Sequence, residues 1–451
     1  MNFILNMDDL PLSWFPQGKC RFLSMKEPQE YAWYRRSKHV ISSKKGAGMK
    51  AASLIRYGEG PFELRTAFIR LCAWLQGKDL VILDSDPVEC ARALASSETK
   101  GSFIESIFAI PAWRPLYSIE SEDGPRWKEL ADSCSKVLRG LKWKHAVAGI
   151  LENSIQKLAV EIAQDPNRCV DSETISRLAL RTLYELLFDT AIHPDDETLF
   201  FQSSIEWRKE IAVKGQGDAQ VKQEFTRRLM EIVSNSKYRD GLQECSDPMI
   251  WLSVFGQPFM ISPQINVSDI MVATFFFLRK HPEHYQLAYD RAAQNDGKYL
   301  NAIIMEAIRL QHPFPILERE LTRDLQLKDR LIRAGTQVFI PLDQFKQDPS
   351  FNPKAWLNEA NPHPYQSLVF GAGKRMCLGK MLANHLMVEM LRALLIHIPE
   401  PQIQPEKGHR FSGRNNDGKQ GFGESSYQLR KFLRALWQSF KIGRQAKSLT
   451  V

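Results

Sequence analysis

The chain has 451 residues, 43% hydrophobic and 25% charged, which supplies a large core and excludes a disordered or fibrous protein. Its net charge of +8 would suit an acidic partner or nucleic acid, but the positive residues are scattered without a nucleic-acid motif, so nucleic-acid binding is not expected. The seven cysteines (Cys20, Cys72, Cys90, Cys134, Cys169, Cys245 and Cys377) are widely spaced and form no C-x-x-C, against a disulfide framework or a zinc site. No apolar run reaches about eighteen residues and the N-terminus lacks a basic n-region, so neither a transmembrane helix nor a signal peptide is expected, and the protein is expected to be cytoplasmic.

In chain order, residues 1–60 read as a mixed lead-in with a basic, glycine-bearing patch at 35–50. The run ELRTAFIRLCAWL, from Glu63, has helical spacing, and its end also suits a strand. Asp79 to Asp84 reads as a short strand, followed by a helix with Asp86 as N-cap and Pro87 at its first position. The stretch 101–123 carries Phe103, Phe108, Trp113 and Tyr117, which suit either a pocket cover or plain core. A helix begins at Asp123-Gly-Pro-Arg-Trp127, and residues 142–245 read as successive amphipathic helices without a catalytic motif. Pro248 to Pro282 is the next informative stretch and ends in FFFLRKHPEHYQLAYDRAA. A helix at Tyr299 to Arg309 ends in Glu306-Ala-Ile-Arg309, which places an acid and an arginine on one face. Asp324–Leu327 and Leu331–Ile340 read as strands, the second about a turn at Ala334-Gly335. Beyond a glycine-rich segment at 409–426, Tyr427 to Ile442 has the spacing of a basic amphipathic helix, which either packs on the parent domain or touches a membrane surface or acidic partner.

The most distinctive stretch is Phe370 to Gly379, FGAGKRMCLG. A cysteine in a glycine-bearing loop at a helix start, with Lys374 and Arg375 beside it, suits either a thiolate ligand or a buried structural cysteine. The complete pattern F-x-x-G-x-R-x-C-x-G resembles the haem-binding loop of the cytochrome P-450 family. The resemblance is strong over about 267–400, fair over 78–130, and by helix order elsewhere. It implies a mainly α fold with a small β region and haem b between a long central helix and the cysteine loop. The implied domains are a lead-in at 1–60, a haem domain at 61–426, and a C-terminal helix and tail at 427–451. The missing membrane anchor points to the soluble bacterial style.

The resemblance also implies site roles. Cys377 becomes the axial ligand of the haem iron, with Phe370 beside the sulfur and Gly371 and Gly379 shaping the loop. Arg375, Arg319 and Trp127 become contacts to the haem propionates, Ile316 and Leu317 face substrate, and Glu306 with Arg309 becomes a buried structural pair. Two positions depart from the pattern. Four residues after Trp127, where the family often has arginine, stands Ala131, so that contact is missing or is supplied by Arg126 or Lys128. The central helix should carry an acid and a threonine, yet counting sixteen residues back from Pro282 gives Ser262-Pro-Gln-Ile265-Asn266. Pro263 should open or bend the helix there. Asn266 and Ser262 are therefore the candidate distal groups, unless the register is one turn off.

The resemblance implies an oxidoreductase. The leading reading is a monooxygenase of secondary metabolism, fed by an external ferredoxin and acting on an apolar or aromatic small molecule. The alternatives are a peroxide-using, oxidative-coupling or dehydratase/isomerase enzyme, because the acid–threonine pair is absent, and a non-enzymatic haem sensor.

Overall fold

The computed structural model describes residues 62–103, 113–211 and 217–404, apart from 166, 246, 315, 343–349 and 361, together with 436, 439, 441 and 442. All belong to one compact unit, 48–451. The lead-in, Phe108 and most of the C-terminal helix lie outside the described residues.

Helix α1 (Phe62–Gln76) is helical to its end, so the strand reading of its C-terminal part does not hold. Gly77, at φ +68°, ends it and turns the chain into β1 (Leu80–Ile82). Helix α2 (Pro87–Ser96) starts as its residues dictate: the Asp86 carboxylate accepts from the Val88 and Glu89 amides, and Pro87 occupies the first turn, where no N–H is needed. The chain then builds α3 (Gly124–Gly140), α4 (Trp143–Gln164), α5 (Ser172–Phe188), α6 (Pro194–Ile211), α7 (Ala219–Ser234), α8 (Arg239–Glu244) and α9 (Pro248–Val254).

A wide π-helical turn, Phe255–Ile261, joins α9 without interruption to α10 (Ser262–Lys280). The helix opens in the turn before Pro263, as expected of a proline inside a continuous helix, which cannot donate to the carbonyl one turn earlier. The π turn also contains Pro258, and at its end the Ser262 amide reaches back to the Gln257 carbonyl. By length and composition alone the 33-residue stretch Pro248–Lys280 suffices to cross a membrane, but 67% of its apolar window is buried inside the fold, as in a central core helix.

This central helix packs on α5, α6 and α12 (Gly297–Leu310). Between α10 and α12 lies α11 (Pro282–Ala293), and α13 (Lys380–His397) closes the core against α4. Strand β2 (Ile316–Glu320) pairs antiparallel with β5 (Gln337–Pro341), which pairs parallel with β1. Separately, β3 (Leu325–Gln326) pairs with β4 (Leu331–Ile332). Leu331–Ile340 is therefore two strands in different sheets, divided by a turn at Gly335, φ +83°, where the Ala334 amide donates to Asp324. A mainly α fold with a small β region is what these elements make.

Of the aromatic residues of 101–117, Phe103 and Trp113 are core rather than pocket cover, and Tyr117 is half-buried against the core. Phe103 is fully buried edge-on to Phe339, and Trp113 stacks on Trp207 with centroids 6.4 Å apart. At the C-terminus Ser439 is buried and accepts from the Gln76 side chain, while Leu436 packs with the α1 core, so this part of the segment docks on the parent domain.

Candidate active site

A cavity of about 380 Å³ lies between the central helix and the Cys377 loop. Its floor is the loop itself. Gly371 and Gly373 both take φ +73°, a region that disfavours other residues. Gly373 also needs its missing Cβ, which would lie 2.5 Å from the Ala95 Cα of α2. Gly379 needs neither: its φ is −79°, and a Cβ would lie in ordinary contact, 4.0 Å from Cys377 Sγ. The Cys377 amide donates to the Phe370 carbonyl at 2.9 Å and closes the loop.

Cys377 lines the cavity and is exposed to it, while protein packs around the rest of the residue. Burial raises the pKa of its thiol, opposed by the Gly379 amide and Lys380. The cations just before it do not serve the sulfur, as the sequence had suggested. Lys374 pairs with Glu98 on the surface, and Arg375 turns the other way.

Arg375 is buried, lies 4.6 Å over the Trp127 ring, and hydrogen-bonds the Glu98, Ile119 and Glu122 carbonyls and the Asp123 carboxylate. It therefore clamps the turn 118–123 to the cysteine loop while lining the cavity with Trp127. Arg319, on β2, is 6% exposed, and burial pulls its pKa down to about 10, helped by the neighbouring Arg375. One of its Nη atoms donates to the Glu318 carbonyl at 2.7 Å, whereas its buried Nε has no partner among the described residues. An unpartnered buried N–H on a cation is costly and points to an anionic group of a ligand. Neither Arg126 nor Lys128 reaches the cavity: Arg126 pairs with Glu122 at 3.1 Å and stacks on Tyr117. Ala131 lines the wall instead, and the further cation there is Lys100, paired with Glu318 at 2.7 Å.

On the opposite wall stand Ser262, Asn266, Val267 and Ile270. Asn266 faces the cavity; Ile265 packs against the core and does not line it. Thr274 is fully buried and returns its hydroxyl to the Ile270 carbonyl at 2.8 Å. Ile316 and Leu317 line the cavity. The Phe275–Phe277 run does not: Phe275 is core, Phe276 lies under Lys280, and Phe277 stacks on Phe351. Phe103, Trp113 and the Phe275–Phe277 run, which suggested an aromatic substrate, are thus structural.

Glu306 and Arg309 lie outside the cavity. They form a bidentate pair at 2.7 and 2.8 Å, with side chains 1% and 6% exposed. The Asn352 amide and Trp356 indole donate to Glu306, and Arg309 donates to the Ser350 carbonyl, which ties α12 to the segment leading into the cysteine loop. Burial alone would raise the Glu306 pKa; the bonds from Arg309, Trp356 and Asn352 outweigh it, and the net shift is downward.

Sequence reasoning missed six polar cavity residues: Lys100, Glu120, Ser121, Gln257, His312 and Glu318. His312 accepts from the Phe314 amide on Nδ1 and faces the Val369 carbonyl through Nε2 at 3.0 Å, which fixes the end of α12 to the loop. Gln257 had a signal, being a polar residue inside the apolar run WLSVFGQPFMI. The cavity fits a flat group with acidic substituents and an axial position for sulfur: a thiol at the floor, apolar walls, and the orphaned Arg319 Nε at one edge.

Residues 272–407 match the family model described as cytochrome P450. The mitochondrial 25-hydroxyvitamin D-1 alpha hydroxylase of Rattus norvegicus is 32% identical over 167 residues, 31% of this chain and 33% of that protein. Cytochrome P450 3A9 of the same species is 28% identical over 239 residues, 48% of this chain and 46% of that one. The chain thus matches between a third and a half of the length of these relatives. Among solved structures, a six-coordinated cytochrome P450 from Thermus thermophilus has a TM-score of 0.54 at 18% identity, covering 76% of this chain and 96% of its own. A zebrafish cytochrome P450 with progesterone reaches 0.55 at 17% identity, covering 73% and 90%. The fold is therefore shared with solved cytochromes P450 well beyond the matched sequence, and residues 272–407 carry the sequence pattern of the cytochrome P450 family, whose cofactor is haem b.

Proposed function

We propose that the protein is a haem-thiolate monooxygenase acting on a largely apolar small molecule, with electrons from an external ferredoxin-type donor. The observation that carries this is Cys377 on the floor of an enclosed, mainly apolar cavity with Arg319 at its edge. In this reading Cys377 would ligate the haem iron through its sulfur, and Arg319, Arg375 and Trp127 would hold the acidic edge of the cofactor. A thiolate-ligated haem would supply cleavage of the O–O bond there. The residues of this chain exclude water with the walls formed by Phe259, Val267, Ile270 and Leu317, and orient the substrate above the floor.

The departure at the central helix shapes the expected chemistry. Ile265 carries no proton and does not line the cavity. Asn266 does, and its amide holds a water or a substrate atom there, but an amide is a poor proton relay. This observation favours, as a second reading, an enzyme that uses peroxide or performs coupling. Turnover with isotopically labelled dioxygen and a ferredoxin–reductase pair separates the two. Label in the product supports the monooxygenase; product only with peroxide, or product without label, supports the second reading.

A further inference from the structure

One corner of the cavity is polar, and it is assembled from parts far apart in the chain. Glu120 lies in a turn built on Ser118, whose hydroxyl accepts from the Glu120 amide at 3.0 Å and whose carbonyl accepts from Ser121 and Glu122. Arg375 grips the same turn through the Ile119 and Glu122 carbonyls. From the central helix, the Gln257 amide nitrogen donates to Glu120 Oε1 at 3.3 Å and to Ser262 Oγ at 2.8 Å, while Gln257 Oε1 accepts from the Ile119 amide at 3.3 Å. Both ends of this amide are engaged, which fixes its orientation although Gln257 is only 1% exposed. Gly256 makes the approach possible, since a Cβ there would lie 2.6 Å from Leu116 Cδ1. The π-helical turn is what carries Gln257 to this position.

We propose that Glu120, held by Gln257 and beside Ser262, selects a largely apolar substrate that carries one hydrogen-bond donor, a hydroxyl or an N–H. The inference rests on the substrate cavity assigned above and narrows its ligand class. An ionised carboxylate only accepts hydrogen bonds. Lining a mainly apolar cavity, it favours a molecule that brings a donor over one of the same shape that lacks it. Its turn is fastened to the cysteine loop on one side and to the central helix on the other, so little ordering is required on binding.

The test compares adamantanol with its methyl ether, which share a skeleton and differ in the donor. Binding to the haem-loaded protein is followed by calorimetry, which needs no turnover. The parent should bind the alcohol about tenfold tighter than the ether, the size expected of a hydrogen bond to a charged group. Glu120→Ala should bring the two within about twofold, and Glu120→Gln, which keeps an acceptor, should retain part of the preference. Should Glu120→Ala fail to fold, Gln257→Met, which removes the holder and keeps the acid, should weaken the preference in the same direction. Equal binding of the two ligands by the parent, or an undiminished preference in the variants that fold, overturns the proposal. A preference that disappears as stated in a protein whose reduced carbonyl spectrum lacks a thiolate signature would support the donor site and refute the haem-thiolate reading.

Discussion

The two walls of the cavity hold their groups by different means. The sulfur-side loop is shaped mostly by its own backbone: two glycines at positive φ, an amide–carbonyl bond from Cys377 to Phe370, and a helix that starts at once. The distal wall depends on partners far away in sequence, with Gln257 of the central helix bridging to Glu120 from a turn 137 residues earlier. The difference teaches that the floor is a rigid unit whose disruption costs folding, while the distal wall is a removable set of side chains whose disruption alters selectivity.

The scaffold under the floor should show the largest effect. Glu306→Ala leaves Arg309 buried without its carboxylate, a loss of roughly 3–5 kcal/mol, and should give little soluble haem protein. Well-folded, fully loaded variant protein would break the comparison. The Glu306 carboxyl titrates below its ordinary 4.5 in the folded state. Its contribution is therefore complete above that value and fades as pH falls through the lower folded pKa, which acid unfolding of parent and Glu306→Gln would reveal as a smaller acid sensitivity in the variant.

Next in size, Gly373→Ala should destabilise by about 1–3 kcal/mol, since it forces an unfavourable φ and a contact with backbone rather than with a yielding side chain. Gly379→Ala, with ordinary φ and room for a Cβ, should be milder in thermal unfolding. Equal losses at the two positions would contradict the account of the loop.

On the distal wall, Asn266→Ala should leave stability within about 0.5 kcal/mol, as for a side chain not engaged in packing, and change product distribution or turnover. Asn266→Thr should improve the coupling of reductant to product. Unchanged products with Asn266→Ala would remove this residue from the chemistry.

The smallest effect concerns electron supply. Lys374 is 71% exposed and lies near exposed Met376, Leu378 and Met381, whereas Arg375 is buried and cannot serve a docking surface. Reduction by an acidic ferredoxin should slow as salt shrinks the Debye length from about 10 Å at 0.1 M to about 3 Å at 1 M. A salt-independent rate would argue against an electrostatically guided donor.

How much was legible follows the same division. The Cys377 loop, the Asp86 cap and the Glu306–Arg309 spacing are local, and their geometry could be read from residue types within a few positions. The sequence also pointed to the Ser262 and Asn266 positions on the central helix, both of which line the cavity. Pro263 pointed to the helix irregularity before it, but the contribution of Pro258 inside the π turn was not read. Phe103, Trp113 and the Phe275–Phe277 run were ambiguous for a physical reason: an aromatic side chain at a core position and one at a pocket wall have the same local pattern, and only tertiary packing separates them. Glu120 and Lys100 reach the cavity from irregular segments, which carry no periodicity to read.

The central claim is that Cys377 supplies the thiolate beneath the cavity. It is tested most directly by the absorption spectrum of the reduced, carbon monoxide-bound protein. The parent should show the red-shifted Soret band of a thiolate opposite carbon monoxide, and Cys377→Ser, with haem still bound, should lose it. Persistence of that band in Cys377→Ser would contradict the account.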